Sequence, residues 1–369
     1  MLGNRATAEA TSAYARRFAA LPSHFRPMLG VTGSSIGIGT YLGENDERTD
    51  RNYEAAIQAA LIGGINVIDT AVNYRFQRSE HAVGQAISRL VASGQIKREE
   101  IIVATKGGYI TFDGEVPANP RAWFDATYVK TGIIKSGELV EDSHCMAPKY
   151  LETMLEISRA NLGLETIDIY FLHNPEAQLP VVGREEFNRR VRQAFELFER
   201  KVAEGKIGAY GTATWNGFRG DPRNKDYLSL QDLVGIAAEV GGPEHHFKVI
   251  QLPYNLAMPE ALTLSNQALP GGQGSILDAA LRMGIVVWAS ASILQGRLAG
   301  NLPEIVGTAM EGMATDAQRA IQFVRSTPGI DVALVGMKSA RHVAENLETA
   351  KREPASAEAF AKLFSPRDE

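Results

Sequence analysis

The chain has 369 residues, 44% of them hydrophobic and 22% charged, with a formal net charge of −5. That balance supports a large buried core, and the length suits two ordinary domains or one α/β barrel. Mild negative charge without a Lys/Arg-rich block argues against a nucleic-acid partner, and the lack of any run of about 18 uncharged apolar residues argues against a membrane span. A single cysteine, Cys145, rules out an intrachain disulfide and suits a reducing compartment. Met1 to Ala20 is Ala-rich and polar, without the apolar stretch of a secretory leader. A cytoplasmic protein is expected.

Residues 1–29 read as an N-terminal extension. After it, short apolar runs rich in β-formers recur: Ser35 to Gly39, Asn66 to Asp69, Ile101 to Thr105, Ile167 to Leu172, Gly208 to Thr212, Val249 to Leu252, Ile285 to Ala289 and Asp331 to Val335. Near-continuous hydrophobicity is the mark of strands buried on both faces. Between them the period is helical. Tyr53, Ala56, Ile57, Ala60 and Leu61 form one stripe, Leu151, Met154, Leu155, Ser158 and Leu162 a second, and Val191, Ala194, Phe195, Phe198 and Val202 a third that stops at Gly205. Eight strands alternating with helices predict an α/β fold, a (β/α)8 TIM barrel over residues 30–350. A doubly wound open sheet yields a similar string, but the first unit has no GxGxxG. Residues 107–148 form a long insertion after the third strand, with Tyr109, Phe112, Trp123, Phe124 and Tyr128 in it. Long insertions of this kind are lids, binding loops or small satellite cores. Ala261 to Gly274 is a second irregular stretch, and residues 351–369 read as a C-terminal tail.

Barrel enzymes place their chemistry at the C-terminal ends of the strands. The second run ends in Asp69, the third in Thr105-Lys106 and the fourth in Leu172-His173. Alone, Asp69 and Lys106 would read as a structural ion pair, Tyr74 as a packing residue and His173 as a satisfied strand-end histidine. The order Asp69-Thr-Ala-Val-Asn-Tyr74, then Thr105-Lys106, then Leu172-His173, resembles the signature of the aldo-keto reductase superfamily. Gly64 to Asp69, Ser79-Glu80, Val83-Gly84, Gly205-Lys206-Ile207, Gln251 with Tyr254-Asn255, and Gly336 with Glu345-Asn346-Leu347 agree with it. The likeness covers roughly residues 30 to 350.

This resemblance implies NAD(P)H-dependent reduction of an aldehyde, ketone or sugar carbonyl to an alcohol, or the reverse, with Asp69, Tyr74, Lys106 and His173 as the catalytic set. Reduction needs a hydride on carbon and a proton on oxygen. A free tyrosine, with a pKa of about 10, is a poor acid near neutrality. The Lys106 ammonium is expected to lower it, Asp69 to hold Lys106 charged, and His173 to bind the carbonyl oxygen. The resemblance also assigns cofactor contacts to Gly39, Thr40, Tyr41, Asp69, Thr214, Gln251, Ser292, Gln295, Gly296, Arg297, Gly336, Lys338, Arg341 and Asn346. Gln251 falls where the family grips the carboxamide. Ala213-Thr214 replaces the family's Ser-Asn pair. Ser290 stands where an aromatic ordinarily stacks, so Trp215 or Trp288 is the expected substitute, with a place in the core the equal alternative for Trp288. Lys338 and Arg341 favour NADPH, with NADH possible, and His342 occupies a place often held by Arg or Gln.

Other motifs receive plainer readings. His144-Cys145 is expected to be an ordinary loop pair and His245-His246 an exposed turn, so no metal is assigned. The acid-base mixture from Arg184 to Arg192 reads as a solvated helix face. A cofactor-binding regulatory subunit of the same type, with little turnover, is the alternative to an enzyme. The expected partner is a small carbonyl or alcohol substrate; the sequence does not fix the substrate itself or the oligomeric state.

Overall fold

The computed structural model describes residues 1–364. The chain opens with a helix, Ala8–Arg16, capped by Thr7, then a hairpin of β1 (Phe25–Met28) and β2 (Val31–Ser34). The hairpin turn, Leu29 and Gly30, sits where the sequence placed the edge of an extension. Three strands follow: β3 (Ile36–Gly39), β4 (Val67–Asp69) and β5 (Ile102–Gly107). The short pair β6 (Leu139–Val140) and β7 (His144–Cys145) lies inside the insertion. Then come β8 (Ile167–His173), β9 (Ile207–Ala213) and β10 (Phe247–Pro253). A hairpin of β11 (Gln267–Leu269) and β12 (Gly272–Gly274) precedes the last two strands, β13 (Val286–Ser290) and β14 (Val332–Gly336).

Strands β3, β4, β5, β8, β9, β10, β13 and β14 close into a barrel in that order. All neighbours are parallel, and β14 pairs with β3. Closure through β14 and β3 excludes the open-sheet alternative. The expected runs match these strands to within two residues. The main difference is β5, which continues through Lys106 and Gly107 rather than ending at Thr105.

Side chains alternate across a strand, so every second residue enters the barrel. Val67, Ile102, Ala104, Ile169, Phe171, Val249, Trp288, Val332 and Leu334 form the interior cluster, and Met28 of the hairpin closes its lower end. Gly37 leaves room for them: a Cβ there would lie 2.7 Å from Leu334 Cδ2 and 3.0 Å from Val332 Cγ1. One alternation further on, the same face reaches Asp69 after Val67, Lys106 after Ala104, His173 after Phe171 and Gln251 after Val249. Interior packing thus delivers polar side chains to the mouth.

Helices wrap the barrel, among them Glu47–Gly63, Pro148–Leu162 and Arg184–Ala203. Their expected apolar stripes are buried except for Val202, which is partly exposed. None is long and apolar enough to cross a membrane among the described residues. Phe112, Trp123 and Tyr128 of the insertion and Tyr150 of the following helix form a chain of ring contacts with centroids 5.2 to 5.6 Å apart. That chain makes a satellite core against helix Pro148–Leu162. Part of the expected tail also packs: Phe360 stacks on Phe323 at 5.3 Å. The last five residues of that tail, 365–369, lie outside the described residues.

Candidate active site

Lys106 is fully buried at the mouth end of β5. Its Nζ donates to Asp69 Oδ1 at 2.7 Å, Asp69 Oδ2 at 2.8 Å and Thr70 O at 2.8 Å. An ammonium has three N–H groups, and these bonds use all of them. Lys106 therefore acts on Tyr74 through charge: Nζ lies 4.9 Å from the ring centroid, over its face. Tyr74 stands edge-on to Tyr41 at 5.0 Å and to His173 at 5.9 Å. The turn after it is strained, with Arg75, Phe76 and Gln77 at φ of 51, 52 and 72. Arg75 and Gln77 hold that turn, Arg75 through Glu44 O and Asp50 Oδ1 and Gln77 through Phe112 O.

The protonation states depart from one expectation. Burial, then the Asp69 carboxylate and neighbouring phenols, raise the Tyr74 pKa well above its ordinary value. The lowering by Lys106 expected from sequence is outweighed, because a buried phenolate loses its hydration. Burial depresses the Lys106 ammonium, and Asp69 opposes that shift. Burial, Lys106 and His144 together lower His173 well below the usual histidine range, so its imidazole is neutral. His173 Nδ1 is buried with no partner. A buried N–H without an acceptor costs more than an idle lone pair, so the ring proton sits on Nε2.

These groups border a cavity of about 750 Å³ at the mouth. Asp69, Tyr74 and His173 line it, while Lys106 lies behind them. Of the residues expected to hold a cofactor, Gly39, Thr40, Tyr41, Asp69, Thr214, Gln251, Ser292, Gln295, Gly296, Gly336, Lys338 and Asn346 line the same cavity. Arg297 and Arg341 do not; both are exposed. The pocket face of helix Ala340–Ala350 is instead His342, Glu345 and Asn346, spaced at one helical turn. Lys338 is therefore the only Lys or Arg in the lining among the described residues. Gln251 is turned onto Asp69, donating to Oδ1 at 2.8 Å, and the Thr214 hydroxyl donates to Gln251 O at 3.4 Å.

Trp288 is core, fully buried inside the barrel, whereas Trp215 lines the cavity and is 42% exposed. Tyr109 leaves the insertion's aromatic cluster and joins the lining. Asn73 and Asn174 also line it and were missed; Asn174 directly follows His173, so extending the strand-end rule by one residue would have found it. Glu176 was missed as well. Its Oε1 accepts from the backbone amides of Trp215 and Asn216 at 2.6 and 3.1 Å, while Oε2 is buried without a partner.

The remaining histidine readings change too. His144 and Cys145 are both buried on β7, not in an open loop. His245 is 8% exposed, and His246 Nδ1 meets Glu199 Oε2 at 2.7 Å, so only part of that turn is open to solvent.

A 6-dehydroglucose reductase of Novosphingobium aromaticivorans is 24% identical over 95% of this chain and 97% of its own length. An NADH-specific methylglyoxal reductase of Escherichia coli is 27% identical over 57% of this chain and 56% of its own length. Among solved structures, an aldo/keto reductase from Klebsiella pneumoniae in complex with NADP and acetate shares the fold. Its TM-score is 0.61 at 22% identity, covering 92% of this chain and 94% of that one. The model of the Aldo/keto reductase family matches residues 35–219, the stretch that holds Asp69, Tyr74, Lys106 and His173, and the chain belongs to that family.

Proposed function

We propose that this protein transfers hydride between a nicotinamide cofactor and a small carbonyl or alcohol, with Tyr74 as the general acid or base. One observation carries the reading: the Tyr74 ring lines the cavity while a fully buried ammonium, paired to Asp69, sits 4.9 Å from its centroid. In the reducing direction, the phenol gives its proton to the carbonyl oxygen. The resulting phenolate charge is offset by the Lys106 ammonium, whose N–H groups stay hydrogen-bonded to Asp69 and Thr70. His173 Nε2–H donates to the same oxygen as charge develops on it.

The lining fits an extended dinucleotide. Ala291, Leu294 and Gln295 adopt left-handed backbone at φ of 54, 45 and 55, beside Gly296 at φ 90. Non-glycine strain concentrated in one loop under a cavity is typical of ligand clamps. Gly39, Thr40 and Tyr41 would border the nicotinamide end, Ser292, Gln295 and Gly296 the pyrophosphate, and Lys338 with Asn346 the far end. When bound, the reduced cofactor supplies the hydride. NADPH is the assigned cofactor, supported by Lys338 and by the NADP in the Klebsiella structure; NADH is admitted because the Escherichia relative is named NADH-specific.

The test mixes the protein with NADPH or NADH and a panel of aldehydes, ketones and aldoses, and follows nicotinamide absorbance in both directions. Turnover of at least one carbonyl, with NADPH preferred, is expected. Tight cofactor binding with no turnover on any member would favour a regulatory subunit instead.

A further inference from the structure

The two ends of the insertion are zipped to each other directly beyond the strand that carries Lys106. Ile110 N–H donates to Ser143 O and Cys145 N–H to Gly108 O, both at 2.8 Å. This brings His144, 1% exposed, beside His173. Its Nε2 lies 2.7 Å from the His173 carbonyl oxygen. A carbonyl only accepts, so Nε2 carries the hydrogen and Nδ1 is left as a lone pair. That lone pair receives the Gln178 side-chain amide at 3.0 Å. The two bonds select one tautomer.

The same peptide unit is held at its other pole, where Asn174 N–H donates to Ala213 O at 2.6 Å. Asn174 turns at φ 43, a conformation few non-glycine residues adopt. Its side-chain amide donates to Tyr109 Oη at 3.1 Å. Tyr109 stands edge-on to both His144 and His173, with centroids 5.0 Å away in each case. Gly108 leaves the bond its path, because a Cβ there would lie 2.8 Å from His144 Nε2 and 2.9 Å from His173 O.

We propose that His144 is a positioning residue: by pinning the peptide between His173 and Asn174, it sets how His173, Asn174 and Tyr109 present themselves to the substrate. The insertion is thus a buttress for the carbonyl-binding end of the cavity. The catalytic meaning rests on the function proposed above, whereas the pinned peptide does not.

Two readouts separate those layers. His144→Phe keeps a buried ring but has no N–H. In amide exchange followed by NMR, the Asn174 N–H of this variant should exchange about tenfold faster or more, with the amides of β4 unchanged. With NADPH and the aldehyde the wild type turns over fastest, KM should rise about tenfold and kcat fall, because the donors at the carbonyl are displaced. Cofactor affinity should stay within about twofold, and His144→Gln, which restores an N–H, should recover most of the loss. Asn174 exchange and KM both unchanged in His144→Phe, or no recovery in His144→Gln, would overturn the proposal. Should no aldehyde be turned over, the exchange measurement alone decides. If His144→Phe does not fold, nitrogen chemical shifts of the wild-type ring decide. Hydrogen on Nε2 at neutral pH supports the assignment, and hydrogen on Nδ1 refutes it.

Discussion

The Gln251 side chain donates to Asp69 Oδ1 at 2.8 Å, the same oxygen that receives Lys106 Nζ. Asp69 is thereby held from two sides of the barrel, by a cation from β5 and an amide from β10. Its charge is what makes a fully buried Lys106 tolerable. Breaking a buried pair by neutralising one partner typically costs about 3–5 kcal/mol, since the other charge is left uncompensated. Asp69→Asn should therefore lower unfolding stability by roughly that amount, measured by denaturant titration, and should also abolish turnover. A stability within about 1 kcal/mol of wild type would mean that Lys106 is not relying on this carboxylate.

Glu176 gives a pH signature. Burial, opposed by backbone hydrogen bonds from Trp215 to Gly217, pushes its carboxyl up to about 7. An acid whose folded pKa lies above its unfolded one favours folding in its protonated form. Its contribution is present below the unfolded pKa and is lost as pH rises toward 7. The difference corresponds to roughly 3 kcal/mol at most. Glu176→Gln resembles the protonated form, so wild type and variant should have similar Tm near pH 5, and wild type should fall below the variant by pH 8. Parallel Tm curves across that range would contradict the assignment.

Cofactor choice turns on Lys338, the only Lys or Arg in the lining among the described residues. Loss of one charge-assisted contact to a phosphate costs on the order of 1.5–3 kcal/mol. Lys338→Met should weaken NADPH binding about tenfold or more while leaving NADH nearly unchanged, as read by calorimetry. Equal losses for both cofactors would place the 2′-phosphate elsewhere.

Much of this was legible in the sequence, for identifiable reasons. Strands buried on both faces are continuous apolar runs, and ionisable residues closing three of them marked the mouth. Period-two alternation explains why Asp69, Lys106 and His173 share one interior face. Other features depend on which way a side chain turns after its element is placed. Arg297 and Arg341 fall in the expected segments but lie on solvent faces, and His342 and Glu345 take the pocket side. The bond from Gln251 to Asp69 spans 182 positions, so no local pattern could announce it. Tyr74's pKa also ran against expectation, because burial of the phenol outweighs the nearby ammonium. His144 read as part of an ordinary loop pair and Glu176 carried no local signal at all, because what each does depends on the insertion and on the segment after β9 packing around it.

Tyr74→Phe decides whether Tyr74 moves the proton. The substitution removes one oxygen and keeps the ring between Lys106, Tyr41 and His173. General acid catalysis of this kind is worth about 10²–10⁴-fold, so kcat with NADPH and the preferred carbonyl should fall by at least about a hundredfold. The Kd for NADPH, measured by fluorescence quenching, should stay within about twofold of wild type. Carbonyl reduction by Tyr74→Phe at the wild-type rate would mean that the proton comes from another group.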